Sequence, residues 1–132
     1  MPPALVMRHV LIVEDDFEFA DLLTEVLNHD NCSSEIATNG LEALDRFRTG
    51  TYDAVICDLM MPRLDGESLF RQVERDFPYL TDKFIFITGQ TSHAAGRTSF
   101  IYPTGNTLLT KPFDIEDFRQ ALRELFSRTA SL

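Results

Sequence analysis

The stretch that decides the fold is CDLMMPRLDG, residues 57–66, which directly follows the apolar residues 54–56. Acidic residues are depleted in strands, so Asp58 at the end of such a run indicates a carboxylate carried to the edge of a sheet. Pro62 and the Asp65-Gly66 pair behind it are turn signals. The stretch therefore predicts a buried strand with a functional carboxylate at its carboxyl end, followed by a shaped loop.

The rest of the chain alternates short apolar runs with amphipathic segments. The predicted strands are residues 10–13, 34–37, 54–57, 84–88 and 107–110, most of them rich in β-branched or aromatic residues. Helical apolar periodicity separates them, in residues 19–27, 41–47, 69–77 and 115–126, with a weaker candidate over 90–101. This alternation predicts an α/β fold with a doubly wound, five-stranded parallel sheet covered on both faces.

Three side chains mark predicted helix starts. Asn39 precedes Glu42 by three residues, and Asp114 precedes Asp117 by three, as in a capping box. Asp16 is interpreted as the cap of the first helix, although it also belongs to an acidic run.

Length and charge narrow the function classes. A chain of 132 residues predicts one domain, residues 1–132, with a core of about residues 9–127. The net charge of −9 argues against nucleic acid as a direct partner, because phosphate backbones are bound by Lys and Arg. No apolar run approaches the roughly 20 residues of a membrane span, and no signal peptide is recognisable. We therefore expect a cytoplasmic protein without a membrane partner.

The cysteines and histidines do not indicate a disulfide framework or a metal site. Cys57 lies in an apolar run and is predicted to be a buried thiol, and Cys32 stands apart from it. The histidines, His9, His29 and His93, are scattered and are interpreted as surface residues.

Acidic and phosphate-binding side chains follow the predicted strands. In open parallel sheets, ligands bind beyond the carboxyl ends of strands, where the strand order reverses. If the first and third strands are neighbours, Glu14, Asp15 and Asp58 converge there, beside Thr88 and Lys111. Clustered carboxylates suit a hard divalent cation such as Mg²⁺. A carboxylate can form an acyl phosphate, so this arrangement predicts phosphoryl transfer to Asp58.

Each of these residues also has a plainer interpretation. Glu14 and Asp15 could be loop acids, Thr88 a β-branched strand residue, and Lys111 an exposed lysine before a proline. Asp58 is the hardest to explain this way, and the joint occurrence at strand ends favours the functional interpretation.

Four motifs in this order and spacing resemble the receiver domain of response regulators, the phosphoacceptor module of two-component signalling. They are LIVEDD (residues 11–16), CDLMMPRLDG (57–66), FITG (86–89) and TKPF (110–113), and the resemblance runs from about His9 to Phe126. It implies a flavodoxin-like fold with strand order 2-1-3-4-5. It also implies a module that catalyses only its own phosphorylation and slow dephosphorylation, and so is not an enzyme in the usual sense.

The resemblance assigns roles to the acidic residues. Asp58 would take a phosphoryl group from the phosphohistidine of a histidine kinase or a histidine phosphotransfer domain. Mg²⁺ would be bound directly by Asp15, Asp58 and the backbone carbonyl of Met60, with Glu14 acting through water. The resemblance also leaves room for a homodimer on phosphorylation.

The same resemblance assigns roles on the neighbouring strands. Thr88 and Lys111 would contact the phosphoryl group, and the Lys111-Pro112 bond is expected to be cis. Met60 and Gln90 would flank the approach of water and so set the lifetime of the phosphorylated state.

One position departs from the family pattern. Receivers often carry an aromatic residue three positions before the lysine, but this chain has Leu108 there, which puts coupling through a rotating ring in doubt. Phe100 and Tyr102 are nearby in sequence. The stretch IYPTGNTLLTKPFDIEDF, residues 101–118, resembles receivers fused to hybrid histidine kinases, and the sequence does not identify the kinase, the stimulus or the output.

Three other function classes compete with this interpretation. An aspartate-nucleophile phosphatase of the haloacid dehalogenase type needs a second acid two residues after its nucleophile, where this chain has Met60. A pseudo-receiver that only binds a protein partner is disfavoured by the intact acidic, threonine and lysine positions. A flavodoxin-like binder is disfavoured because residues 14–16 would repel a phosphate, and no Walker-type glycine loop occurs.

Overall fold

Five strands form one parallel sheet in the computed structural model, which describes residues 7–89 and 98–129. They are β1 (Arg8–Val13), β2 (Cys32–Ala37), β3 (Ala54–Asp58), β4 (Phe84–Thr88) and β5 (Thr107–Thr110). Their order is β2-β1-β3-β4-β5 and every neighbouring pair is parallel. The predicted fold class and strand order are thus confirmed.

Helices connect the strands and cover the sheet. Those in the described ranges are α1 (Phe17–His29), α2 (Gly40–Thr49), α3 (Gly66–Asp76) and α4 (Ile115–Thr129), with short 3₁₀ turns at Pro78–Leu80 and Tyr102–Thr104. Most of the weaker predicted helix, residues 90–97, lies outside the described residues. No helix within these ranges has the length and apolar character needed to cross a bilayer.

The predicted helix starts are present. The Asp16 side chain accepts a hydrogen bond from the N–H of Phe19 (3.3 Å), and Asn39 accepts one from the N–H of Glu42 (2.9 Å). Asp114 immediately precedes α4. Asp16 is therefore a helix cap, as interpreted from the sequence. Glu14 and Asp15, the other members of the acidic run, do not cap the helix and are available for the predicted acidic site.

Alternation along β1 builds the two halves of the core. Leu11 and Val13 pack in a cluster with α2 and α3, whereas Val10 and Ile12 pack in a second cluster with α1 and α4. Cys57 is completely buried in the first cluster, as predicted, and burial raises the pKa of its thiol. The central strands β3 and β4 are thereby buried along their whole length, as expected for a parallel sheet covered on both faces.

Two leucines of the predicted apolar stripes are not in the core. Leu22 is 45% exposed and Leu41 is 49% exposed. The buried face of α1 is centred between Ala20 and Leu23, and that of α2 includes Ala43, so each leucine lies on the flank of its helix.

His9, interpreted as a surface residue, is only partly exposed and has polar and aromatic partners. Its Nδ1 lies 2.6 Å from the Ser33 hydroxyl, its Nε2 lies 2.6 Å from a Glu35 carboxylate oxygen, and its ring stacks on Tyr52 at 5.2 Å. The His9 hydrogen bond is the largest cause holding the pKa of Glu35 below its usual range, and Arg46 adds to it. The register pairs His9 with Ser33, so β2 presents polar partners to the half-buried imidazole.

Candidate functional site

The acidic residues converge because β1 and β3 are neighbours in register. Val13 pairs with Cys57, so Glu14 and Asp58 come next to each other at the same edge of the sheet. Carboxylate oxygens of Glu14, Asp15 and Asp58 lie within 4.8 Å of one another, the one such cluster found in the described part of the chain. Asp15 is exposed while the other two are buried. The convergence expected from the sequence is present.

Glu14 has a raised pKa in this cluster. Its side chain is almost fully buried, at 2% exposure, and burial raises its pKa to about 7. The adjacent Asp58 adds to the rise, whereas the hydrogen bond from the Asp16 N–H (3.0 Å) and the charge of Lys111 oppose it. Without a cation, the site therefore accommodates two neighbouring buried carboxylates poorly.

Asp58 is the last residue of β3 and is 7% exposed. One carboxylate oxygen, Oδ1, accepts the backbone N–H of Met60 at 3.0 Å, and the other, Oδ2, lies 3.9 Å from the Lys111 Nζ. The first oxygen is thus held by the loop, and the second points to the ammonium. A group bonded to Oδ2 would be close to a positive charge.

Thr88 and Lys111 are positioned by adjacent strand ends. Thr88 is the buried last residue of β4, and its carbonyl accepts the backbone N–H of Lys111 at 2.7 Å. The Lys111-Pro112 bond is cis, as expected from the resemblance. The Lys111 Nζ lies 3.3 Å from a Glu14 oxygen, so the ammonium reaches back across the sheet edge to the acidic cluster.

The loop after Asp58 folds back on itself. Leu59 donates its N–H to the Ile87 carbonyl (2.9 Å) and accepts the Gly66 N–H (3.1 Å). A Cβ built on Gly66 would lie 2.9 Å from the Leu59 Cα, closer than real Cβ contacts, so this close approach requires glycine. The Asp65 side chain then caps α3 through the Ser68 N–H. The predicted turn thus closes the loop that carries Met60.

Three predicted site residues remain: Met60, Leu108 and Gln90. The Met60 side chain is 52% exposed at the rim of the site. Leu108 is half-buried against the core cluster that contains Phe86. Gln90 lies outside the described residues.

One contact at the site, between Phe19 and Lys111, was not predicted from the sequence. The ring of Phe19, predicted only as part of an apolar helix face, has its centroid 4.2 Å from the Lys111 Nζ. Nothing in the local pattern of α1 connects it with a residue after β5, because the contact depends on how these elements pack.

The donor set fits Mg²⁺. Three carboxylates in one open cluster are hard oxygen ligands, which this ion prefers. A cation would also stabilise the charged form of Glu14, whose pKa is raised by burial and further by Asp58. The exposure of Asp15 leaves room for the waters that Mg²⁺ keeps.

Comparisons with known proteins show what this chain is similar to. The family described as response regulator receiver domain matches residues 10–123. The response regulator MprA of Mycobacterium sp. (strain KMS) is 34% identical over 124 residues, which are 92% of this chain and 51% of that protein. The chain spans about half the length of the curated relatives it matches.

Solved structures show the same likeness. The receiver domain of a signal transduction histidine kinase from Syntrophus aciditrophicus has a TM-score of 0.83 at 25% identity, covering 95% of this chain and 94% of that one. The response regulator TrrA from Thermotoga maritima, solved in complex with Mg²⁺ and BeF, has a TM-score of 0.76 at 26% identity, covering 90% of this chain and 99% of that one.

Proposed function

The chain belongs to the response regulator receiver domain family of two-component signalling, and we propose that Asp58 is its phosphoacceptor. The observation that carries the proposal is the placement of Asp58, a buried carboxylate with one oxygen 3.9 Å from the Lys111 ammonium and within 4.8 Å of the Glu14 and Asp15 carboxylates. We further propose that residues 1–132 form this single domain, with a core of about residues 9–127, and that it works in the cytoplasm.

The proposed reaction moves one phosphoryl group. A carboxylate oxygen of Asp58 forms a bond to phosphorus as the bond from phosphorus to the donor histidine nitrogen breaks, and the electron pair stays on that nitrogen. Lys111 and the Thr88 hydroxyl would neutralise and orient the phosphoryl oxygens, which is the electrostatic part of phosphoryl transfer. Two observations support these roles: the Lys111 Nζ lies 3.9 Å from an Asp58 oxygen, and the backbone N–H of Lys111 is bonded to the Thr88 carbonyl.

Mg²⁺ is the proposed cofactor. Asp15, Asp58 and the Met60 carbonyl would hold it directly, and Glu14 would act through water. When bound, the ion supplies positive charge that offsets the carboxylates and the incoming phosphoryl oxygens.

The proposed partner is a protein that presents a phosphohistidine, either a histidine kinase or a histidine phosphotransfer domain. No direct contact with nucleic acid is proposed, which the net charge of −9 supports. We also propose that the domain can form a homodimer on phosphorylation. Turnover of phosphate esters is not expected, because Met60 occupies the position where the phosphatases place their second acid.

Incubation with acetyl phosphate tests the proposal. With Mg²⁺, the intact protein should gain the mass of one phosphoryl group, and chelation of the metal should prevent the gain. Hydroxylamine, which converts an acyl phosphate to a hydroxamate, should mark the peptide that contains Asp58. A modification found on another residue, or none in the presence of Mg²⁺, would refute the assignment.

Met60→Asn is expected to shorten the lifetime of the phosphorylated state. Hydrolysis needs a water in line with the bond from Asp58 to phosphorus. Met60 is two residues after Asp58, and its side chain is 52% exposed. A thioether binds water weakly, whereas an amide can orient it, so the decay should be roughly threefold faster or more. Decay is followed by mass spectrometry after removal of the donor.

Met7→Asn is the matched control, because Met7 is similarly exposed, at 62%, and precedes β1. Its decay should equal that of the parent. Gln90→Ala tests the second proposed lifetime position. If Met60→Asn and Gln90→Ala both decay at the parent rate with unchanged Mg²⁺ affinity, neither side chain controls the attacking water.

A further inference from the structure

The Lys111 ammonium lies between the acidic cluster and an aromatic ring. Its Nζ is 3.3 Å from a Glu14 oxygen and 3.9 Å from an Asp58 oxygen, and the Phe19 ring centroid is 4.2 Å away. A cation within about 6 Å of an aromatic face is attracted by the ring quadrupole. The reaction proposed above gives Phe19 no role, so this contact is unassigned.

The ring of Phe19 is itself held in place. It meets Phe113 edge-on, with centroids 5.9 Å apart and an interplanar angle of 84°, and Phe113 in turn stacks on Phe118 of α4. Phe113 follows Lys111 by two residues, so one short segment supplies both the ammonium and the support for the ring that faces it.

The Lys111 side chain remains 30% exposed, which gives the ammonium access to solvent. A lysine has four side-chain torsions, and a freely solvated ammonium would be dispersed over many rotamers. The Phe19 ring favours the subset of rotamers in which Nζ stays near Asp58. Phe19 lies outside the acidic cluster, so this effect should act on Lys111 and leave metal binding unchanged.

We propose that Phe19 is a positioning residue, which holds the Lys111 ammonium beside Asp58 through a cation–π contact before the phosphoryl group arrives. This inference rests on the proposed function, because Lys111 takes part in phosphoryl transfer only if Asp58 is the acceptor.

Two substitutions at Phe19 separate the π face from apolar bulk. Phe19→Leu should lower the phosphorylation rate constant, measured at saturating acetyl phosphate and Mg²⁺, by roughly three- to tenfold. Phe19→Tyr keeps the ring and should restore the rate to within about twofold of the parent. The affinity for Mg²⁺ alone should be unchanged in both variants.

Phe126→Leu is the matched control. Its ring lies 4.6 Å from the Arg8 guanidinium carbon, so the same substitution removes a cation–π contact far from the acidic cluster. It should leave the phosphorylation rate at the parent value. An equal loss of rate in Phe19→Leu and Phe126→Leu would mean general destabilisation and would overturn the inference.

Nuclear magnetic resonance of the metal-free protein tests the contact without any phosphorylation. The ring current of Phe19 should shift the ε-methylene protons of Lys111 upfield, and Phe19→Leu should abolish this shift while Phe126→Leu keeps it. An unshifted Lys111 signal in the parent would overturn the contact. A parent that takes up no phosphoryl group overturns both proposals, whereas a parent labelled at Asp58 with an unchanged Phe19→Leu rate overturns only this one.

Discussion

Asp58→Asn is expected to abolish phosphoryl transfer completely. The neutral amide has no carboxylate oxygen to attack phosphorus, so the acyl phosphate cannot form. The fold should survive, because an asparagine oxygen can still accept the Met60 N–H that Asp58 accepts at 3.0 Å. Removal of the Asp58 charge should also abolish its repulsion of the Glu14 carboxylate. Intact-mass measurement with acetyl phosphate and Mg²⁺ should show no added phosphoryl group.

The matched control is Asp65→Asn, in the loop that follows Asp58. Asp65 caps α3 through a 2.9 Å hydrogen bond from the Ser68 N–H, and asparagine is an equally good cap. This variant should be phosphorylated like the parent. Phosphorylation that persists in Asp58→Asn, at any residue, would contradict the assignment of the acceptor.

The parts of this fold that the sequence predicted depend on local signals. The apolar run before Asp58 and the turn at Asp65-Gly66 are contiguous, and they define the strand, its exit and the loop almost without reference to the rest of the chain. The cap at Asp16 is likewise a contact across three residues. Neighbouring strand ends then bring Glu14 to Asp58 once the strand order is given.

The parts that the sequence did not predict depend on packing between distant segments. In the sequence, His9 has no polar partner nearby, but the register of β1 against β2 brings it next to Ser33 and Glu35. The contact between Phe19 and Lys111 likewise joins α1 to the loop after β5. In each case the relevant partner lies more than twenty residues away, which periodicity and spacing do not encode.

Leu108 shows how a departure from the family pattern is accommodated. It pairs in register with Phe86, two residues before Thr88. Phe100 is buried and packs against Phe86 with ring centroids 5.3 Å apart, whereas Tyr102 is 92% exposed. Phe100, from the segment before β5, and Phe70 of α3 thus both pack against Phe86 of β4, and the exposed Tyr102 does not.

Glu14→Gln is expected to stabilise the metal-free protein at neutral and higher pH. The pKa of Glu14 is about 7 in the folded state and near its ordinary value of 4.5 when unfolded. Between these values the folded state binds more protons than the unfolded state, so the free energy of unfolding falls as pH rises and levels off above about pH 7. A neutral glutamine removes this loss, which is about 3 kcal/mol for a pKa raised from 4.5 to about 7.

Urea unfolding in the presence of a chelator, at intervals from pH 4 to pH 8, measures this effect. Glu14→Gln should match the parent near pH 4 and exceed it increasingly up to about pH 7, where the folded-state pKa lies. Glu18→Gln, an exposed acid in the first turn of α1, is the control and should show no such growth. Saturating Mg²⁺ should shrink the difference, because a ligand that binds the folded parent more tightly than the variant stabilises the parent more. A metal-free Glu14→Gln protein less stable than the parent at pH 8 would mean that burial of this carboxylate is not costly, contrary to the geometry of the cluster.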